Sequence, residues 1–244
     1  MGDAVDVINV TKKFGKKIAL SSVSFSVNEG EVFGLIGPNG AGKTTMLRII
    51  SGIIVKFKGV VNVFGVTPKE AKLKGMISYL PEDASPYERL SGYENLYFYS
   101  MIYARGNKRQ AEEMANMGVK IANLGEKIND RAGEYSKGMK RRLLLARALM
   151  TNPKLAILDE PMAGLDVEST FKIRRKMRSI SKELGTTVIF SSHDMTEIER
   201  LCDRVGLIDR GRIVALGTPD EIMSKLGVSN MEEAFIKATG GSLD

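Results

Sequence analysis

Apolar and polar residues change period several times along the chain. Residues 4–10 (AVDVINV) and 20–27 (LSSVSFSV) alternate, as half-buried strands do. Between them Thr11-Lys12-Lys13-Phe14-Gly15 reads as a turn carrying one aromatic. Val32-Phe33-Gly34-Leu35-Ile36 is an unbroken apolar run, suited to a strand buried on both faces. Met46, Leu47, Ile49, Ile50 and Ile53 then line a helix whose end Gly52 weakens. Residues 59–64 and 76–80 return to strand, the first followed by a turn at Gly65 and the second stopped by Pro81. From there the texture changes. Residues 91–124 and 137–151 carry apolar side chains every three or four positions, among them Leu96, Tyr99, Tyr103, Leu143, Leu144 and Ala148, and read as two helices. They predict a helical insertion of about 82–150 within an α/β core. Strand pattern resumes at 155–158, followed by a helix at 167–184, a strand at 187–190, a helix at 194–202 and strands at 205–208 and 212–215. Residues 219–239 look helical in two pieces. Strands alternating with helices argue an α/β fold with a largely parallel sheet.

The apolar run at 32–36 leads straight into Gly37-Pro38-Asn39-Gly40-Ala41-Gly42-Lys43-Thr44-Thr45, which meets the pattern G-x-x-x-x-G-K-[ST]. A phosphate chain is bulky and charged, so backbone must curl around it. Glycines at 37, 40 and 42 remove side chains that would block that approach. The freed N–H groups and the start of the following helix form an anion nest. Lys43 supplies a full charge for the β/γ-phosphates, and the Thr44 hydroxyl is placed to ligate Mg²⁺.

A second acidic pair ends the strand at 155–158, as Asp159-Glu160. Burying two carboxylates at a strand's end is costly unless a cation or a reaction uses them. Ligands of parallel sheets gather at these carboxyl ends. Asp159 can therefore reach the Mg²⁺ shell, and Glu160 can polarise a water aimed at the γ-phosphate. His193, the single histidine, ends the strand that begins at 187, so its ring lies in reach of the same phosphate.

Bulk properties narrow the class. The chain has 244 residues, 43% apolar and 27% charged, enough for one large domain or two small ones with an ample core. No run of about 18 apolar residues occurs, so no membrane insertion is expected. The start, MGDAVDV, lacks a basic stretch leading into an apolar one, so no signal peptide is expected and the chain reads as cytoplasmic. Cys202 is alone, which excludes an internal disulfide and a cysteine-based zinc site. The net charge of +7 comes partly from Lys137-Lys140-Arg141-Arg142 and Arg174-Arg175-Lys176-Arg178, which read as solvated helix faces rather than a nucleic-acid surface.

Taken together, these residues resemble the nucleotide-binding subunit of an ABC (ATP-binding cassette) transporter, over residues 1 to about 217. Phe14 resembles the family's adenine-stacking aromatic, and 37–45 its phosphate loop. Tyr135-Ser136-Lys137-Gly138-Met139 resembles the family signature, usually LSGGQ, and runs on into Arg141-Arg142-Leu143 and Ala146-Arg147-Ala148-Leu149. Asp159 and Glu160 match the Walker B acids, Ala163-Gly164-Leu165-Asp166 the D-loop, and His193 the switch histidine. The resemblance implies a P-loop NTPase fold: an ABC-type core with a mostly parallel sheet, an N-terminal antiparallel β subdomain and an inserted α-helical subdomain. Residues 218–244 would form a short helical C-terminal tail. It also implies ATP and Mg²⁺ as ligands, with Thr44, Glu82 and Asp159 at the metal and Glu160, His193 and Glu82 at the chemistry. The nucleotide-binding set is Phe14, Gly37, Pro38, Asn39, Gly40, Ala41, Gly42, Lys43, Thr44 and Thr45. Two copies, or this chain and a homologous subunit, would pair head to tail, each capping the other's ATP with Ser136, Lys137, Gly138 and Met139. Polytopic membrane permease subunits would be the further partners, holding the pair on the inner face of the cell membrane.

Two positions depart from the family pattern. Lys137 and Met139 stand where the consensus has Gly and Gln. Glu82 stands where most members carry the Q-loop glutamine, and an acid there resembles the branch powering drug, polysaccharide or haem-related export. The Q-loop borders the family's groove for the membrane subunit, and Tyr87, Leu90, Tyr93, Tyr97 and Tyr99 crowd that stretch. The main alternative is an ABC-type ATPase acting on nucleic acid or the ribosome. Such proteins typically carry two heads, long coiled coils or zinc cysteines, for which this chain has no room. A non-hydrolytic nucleotide-binding regulator is the third reading, and Glu160 and His193 argue against it.

Overall fold

The computed structural model describes residues 2–241, with the side chains of residues 196 and 197 outside that description. In chain order the first elements are β1 (Asp3–Phe14), β2 (Lys17–Asn28), β3 (Val32–Ile36), α1 (Lys43–Ile50), β4 (Lys58–Val63), α2 (Pro68–Leu73) and β5 (Ile77–Leu80). Then come α3 (Gly92–Tyr103), α4 (Lys108–Ala122), α5 (Lys137–Leu149), β6 (Leu155–Leu158), α6 (Val167–Leu184) and β7 (Thr187–Ser192). The last are α7 (Met195–Leu201), β8 (Arg204–Asp209), β9 (Arg212–Gly217), α8 (Pro219–Leu226) and α9 (Met231–Ala238).

Two sheets organise these elements. A three-stranded antiparallel sheet has the order β2-β1-β4, and a six-stranded sheet the order β5-β6-β7-β3-β8-β9. In the larger sheet the neighbouring strands pair in parallel, except β8 with β9, which are antiparallel. The parallel strands read as continuous apolar runs because both of their faces are covered. Successive side chains separate to opposite faces. Leu155 and Ile157 join the core shared with α1 and the small sheet, whereas Ala156 and Leu158 join the core beneath α5, α6 and α7. Residues 219–238 pack through Ile222, Met231 and Ala234 into that second core, and 242–244 of the expected tail lie outside the described residues.

Four expectations change. Thr11–Phe14 is strand rather than turn: β1 runs to Phe14, which pairs with Lys17, leaving only Gly15 and Lys16 to reverse the chain. The run 91–124 is two helices, because Arg105 and Gly106 both adopt positive φ and Asn107 caps α4 by accepting from the Gln110 amide. Ile53 lies beyond α1 and is exposed, since the helix stops at Ile50. Helix α2 went unread. Its signal was present as Thr67-Pro68-Lys69-Glu70, a capping box with proline at the first helical position.

Candidate active site

Strand order brings the candidate residues together. Strand β7 lies between β3 and β6, so the segments leaving all three emerge side by side, with strands roughly 4.8 Å apart. The 37–45 loop leaves β3, Asp159 and Glu160 leave β6, Ser191 and Ser192 finish β7, and His193 follows them. Backbone ties the first and last directly, as the Gly37 amide donates to the Ser192 carbonyl (3.4 Å).

The loop's glycines divide their work differently from expectation. A Cβ at Gly37 would stand 2.0 Å from the Ile208 carbonyl oxygen, and one at Gly42 would stand 2.7 Å from the Ala19 oxygen. Both positions seat the loop against β8 and β2. Ala41 is buried, and its carbonyl accepts from the Gly211 amide. Gly37 and Ala41 are therefore framework. Phe14, Pro38, Asn39, Gly40, Gly42, Lys43, Thr44 and Thr45 line a cleft of about 480 Å³ together with Glu82, Glu160, Lys17 and Ala19. Lys17 and Ala19 carry no motif and were not anticipated. The Phe14 ring is half exposed, with the Lys12 ammonium 4.6 Å from its centroid.

Lys43, although buried, donates to the Gly37 carbonyl at 2.6 Å and lies 3.2 Å from Glu160 Oε1. That oxygen takes no hydrogen bond, so the contact is one of charge. The other oxygen, Oε2, is 3.0 Å from His193 Nδ1. Glu160 has φ of 47°, a left-handed conformation that costs a non-glycine residue about 1–3 kcal/mol. The bend turns its carboxylate from the strand direction toward Lys43 and His193. The imidazole is about half exposed and borders a cavity of about 300 Å³ with Glu160, Ala163, Gly164 and Leu165.

Asp159 is almost fully buried and surrounded by hydroxyls. Its Oδ1 accepts from Ser191 Oγ (2.6 Å) and Thr44 Oγ1 (3.2 Å), and its Oδ2 from the Tyr79 hydroxyl (3.3 Å). Burial, with the Asp159 charge beside it, pushes the Tyr79 phenol up to about 12. Thr44 and Asp159 thus present hard oxygen donors side by side. Among the described residues no group of three or more His, Cys, Asp or Glu could hold a metal by itself. Mg²⁺ would take one or two such oxygen donors and complete its shell with phosphate oxygens and water.

Arg141 was grouped with the solvated basic residues, and the structure corrects this. Its guanidinium is buried beneath the 159–161 turn. Nε donates to the Pro161 carbonyl (2.8 Å), Nη2 to those of Asp159 (2.9 Å) and Glu160 (2.5 Å), and Nη1 to that of Glu82 (3.3 Å). Burial lowers its pKa from the ordinary arginine value. Helix α5 thereby fastens both acidic segments. The second basic group behaves as expected in part: Arg175 is exposed on α6, while Arg174 and Arg178 are half-buried.

The signature residues sit apart from the Lys43 cleft. Ser136 caps α5, its Oγ accepting from the Met139 amide (3.3 Å). A Cβ on Gly138 would meet Ser169 Oγ at 2.2 Å, so this glycine lets α5 dock on the start of α6. Asp166 caps α6 by accepting from the Ser169 amide and hydroxyl, which lowers its pKa. The Lys137 side chain lies across Gly164, and Met139 packs against the core. Of these residues only Lys137 borders a cavity shared with Glu82 and Glu160, about 300 Å³ in volume.

Comparisons with known proteins identify the family. The sequence pattern of the family described as "ABC transporter" matches residues 20–163. The linearmycin resistance ATP-binding protein LnrL of Bacillus subtilis is 41% identical, over 94% of this chain and 76% of its own. The Nod factor export ATP-binding protein I of Rhizobium etli is 41% identical, over 91% and 71%. Among solved structures, cbiO1 of Clostridium perfringens, described as part of the transporter complex cbiONQ, superposes with a TM-score of 0.82 at 25% identity, covering 92% of each chain. A dimeric ATP-binding cassette in a post-hydrolysis state with ADP and Pi gives 0.77 at 26% identity, covering 88% of this chain and 98% of that one. Family pattern, close relatives and fold agree: the chain belongs to the ABC transporter family and is one of its ATP-binding, ATP-hydrolysing subunits.

Proposed function

We propose that this chain holds MgATP on the 37–45 loop and hydrolyses it with Glu160 as the general base. Two such subunits pair head to tail, so that Ser136, Lys137, Gly138 and Met139 of one cap the nucleotide on the other. The catalytic domain is 1–217 with its insertion at about 82–150, and 218–244 is a tail. The observation that carries this reading is the buried Glu160 carboxylate, held between Lys43 (3.2 Å) and His193 (3.0 Å).

Glu160 takes a proton from water as its oxygen bonds to the γ-phosphorus and the bond to the β–γ bridging oxygen breaks, leaving ADP and phosphate. Lys43 balances charge on the transferred group, and His193 orients Glu160. Thr44 and Asp159, with Glu82 nearby, would hold Mg²⁺, which would supply further charge neutralisation when bound. Phe14 stacks on the adenine.

The capping role of Ser136 rests on geometry. Ser136, Gly138 and Met139 do not line the Lys43 cleft, and α5 carries no acid in its first turn, so its positive end favours an anion from outside the subunit. Export is the favoured direction, supported by Glu82 and by the names of the linearmycin resistance and Nod factor export relatives. Membrane permease subunits are the further partners, a reading supported by the family and by cbiO1, described as part of the transporter complex cbiONQ; among the described residues no helix is long and apolar enough to cross a membrane. Phe98, Ile102, Tyr103 and Tyr87 are exposed on or beside α3, while Tyr93, Tyr97 and Tyr99 pack inward. The exposed set offers a docking surface for a permease and holds the pair at the inner face of the membrane.

The test is Glu160→Gln in sedimentation with ATP and with ADP. The expected result is an ATP-dependent dimer and no turnover. A variant that hydrolyses at the parental rate, or stays monomeric at saturating ATP, overturns the reading.

A further inference from the structure

The hydroxyls around Asp159 are not equivalent. Thr44 belongs to the phosphate loop itself, and Ser191 is an immediate neighbour at the end of β7. Tyr79 reaches Asp159 from β5, the edge strand on its other side, and its hydroxyl is 3.3 Å from Oδ2. Both of the other hydroxyls go to Oδ1. Without the phenol, one carboxylate oxygen would have no side-chain hydroxyl to fix it, and the group could turn about its Cβ–Cγ bond. A ligating carboxylate depends on such outer partners for orientation, and removing one typically costs about 10–100-fold in metal affinity.

Tyr79 also lies close in sequence to Glu82, three residues on in the loop that follows β5. Arg48 of α1 interacts with the phenol, which raises the arginine's pKa. The half-buried ring thus joins α1, β5 and the end of β6 at one point. A strand residue chosen only to fill the sheet would have no need of the hydroxyl.

We propose that Tyr79 is a positioning residue for the metal: its hydroxyl holds Oδ2 of Asp159 so that this carboxylate faces the Mg²⁺ that accompanies the nucleotide. The inference rests on the MgATP reading above and deepens it. It concerns binding of the cation rather than the hydrolytic step.

The experiment uses Tyr79→Phe in the full chain, on the Glu160→Gln background so that nucleotide is not consumed. ATP binding is titrated with Mg²⁺ and again in excess EDTA, and Mn²⁺ binding with ATP is followed by electron paramagnetic resonance. Phenylalanine keeps the ring and its packing, and a urea midpoint is measured beside each titration. The expected result is a Mg²⁺ midpoint raised about 10-fold, with a matching loss in Mn²⁺ affinity and metal-free ATP affinity within about two-fold of the background. A Mg²⁺ midpoint that moves less than two-fold overturns the inference. So does an equal loss of ATP affinity with and without metal, which would place the phenol's role in the loop as a whole. If the Glu160→Gln background itself binds ATP without regard to Mg²⁺, the MgATP reading fails first and is seen to fail separately.

Discussion

Replacing Arg141 by methionine removes a buried cation that joins three segments and leaves its aliphatic stem largely intact. The wild-type guanidinium serves the carbonyls of Glu82, Asp159, Glu160 and Pro161 at 3.3, 2.9, 2.5 and 2.8 Å. Methionine leaves the carbonyls of Asp159 and Pro161 without this donor, whereas that of Glu160 keeps the Ala163 amide (3.3 Å). A stranded carbonyl costs about 1–3 kcal/mol where water cannot reach it. Removing one partner from a buried charge arrangement costs about 3–5 kcal/mol, and that is the loss expected here. For a chain of this size that is a fall in Tm of roughly 6–20 °C. Arg141→Lys is expected to rescue little, because a point charge cannot fork to several carbonyls at once. Differential scanning calorimetry without nucleotide is the assay. A methionine variant within 1 kcal/mol of the parent would refute the reasoning, and a lysine variant as stable as arginine would refute the fork.

Lys43→Ala removes the buried cation beside Glu160 Oε1 and leaves the carboxylate with His193 alone, so it should cost about 3–5 kcal/mol in urea unfolding as well as abolish ATP binding. Adding Glu160→Gln should return at least half of that stability, and equal losses in the single and double variants would remove the ion pair from the account. Gly138→Ala forces a methyl to 2.2 Å from Ser169 Oγ, and an overpacking cost of about 1–3 kcal/mol is expected in the same assay. Tyr79 should ionise near pH 12 rather than near 10, seen as the 295 nm difference titration of parent against Tyr79→Phe. The unfolded phenol releases its proton first, so this group's contribution to stability is complete below about pH 10 and is lost as pH rises to about 12.

Legibility followed the range of the interactions. Strands β3, β6 and β7 were readable because both faces are buried, which leaves unbroken apolar runs with no competing period. Pro38, Asn39, Gly40, Gly42, Lys43, Thr44 and Thr45, which line one cleft, were readable because the phosphate-loop pattern demands particular types at fixed spacing. Arg105 and Gly106 were harder. One helical period continues on both sides of them, and only the reversal of φ together with the Asn107 cap separates α3 from α4. Even within the phosphate loop the reason for a glycine was misjudged. Gly37 yields to the Ile208 carbonyl, a residue 171 positions away, and nothing local announces that contact.

The residues that escaped the sequence share a physical character. Arg141, Ser191 and Tyr79 act on the acidic residues through backbone carbonyls or hydroxyl donors, across separations of 18 to 80 positions. Helix spacing makes Arg141 look like one more member of a basic surface, and strand pattern makes Tyr79 look like filling. What distinguishes them is the cost of their neighbours: two carboxylates and a left-handed turn lie buried in one place. Such a group persists only when surrounding donors over-determine it. Asp159 and Glu160 at a strand's end therefore require orienting donors on whatever elements fold against them. That requirement can be inferred from the sequence, but the donors can be assigned only once the sheet order is known. With β5 and β7 flanking β6 and α5 packed against the 159–161 turn, the donors are Tyr79, Ser191 and Arg141, one from each flanking element.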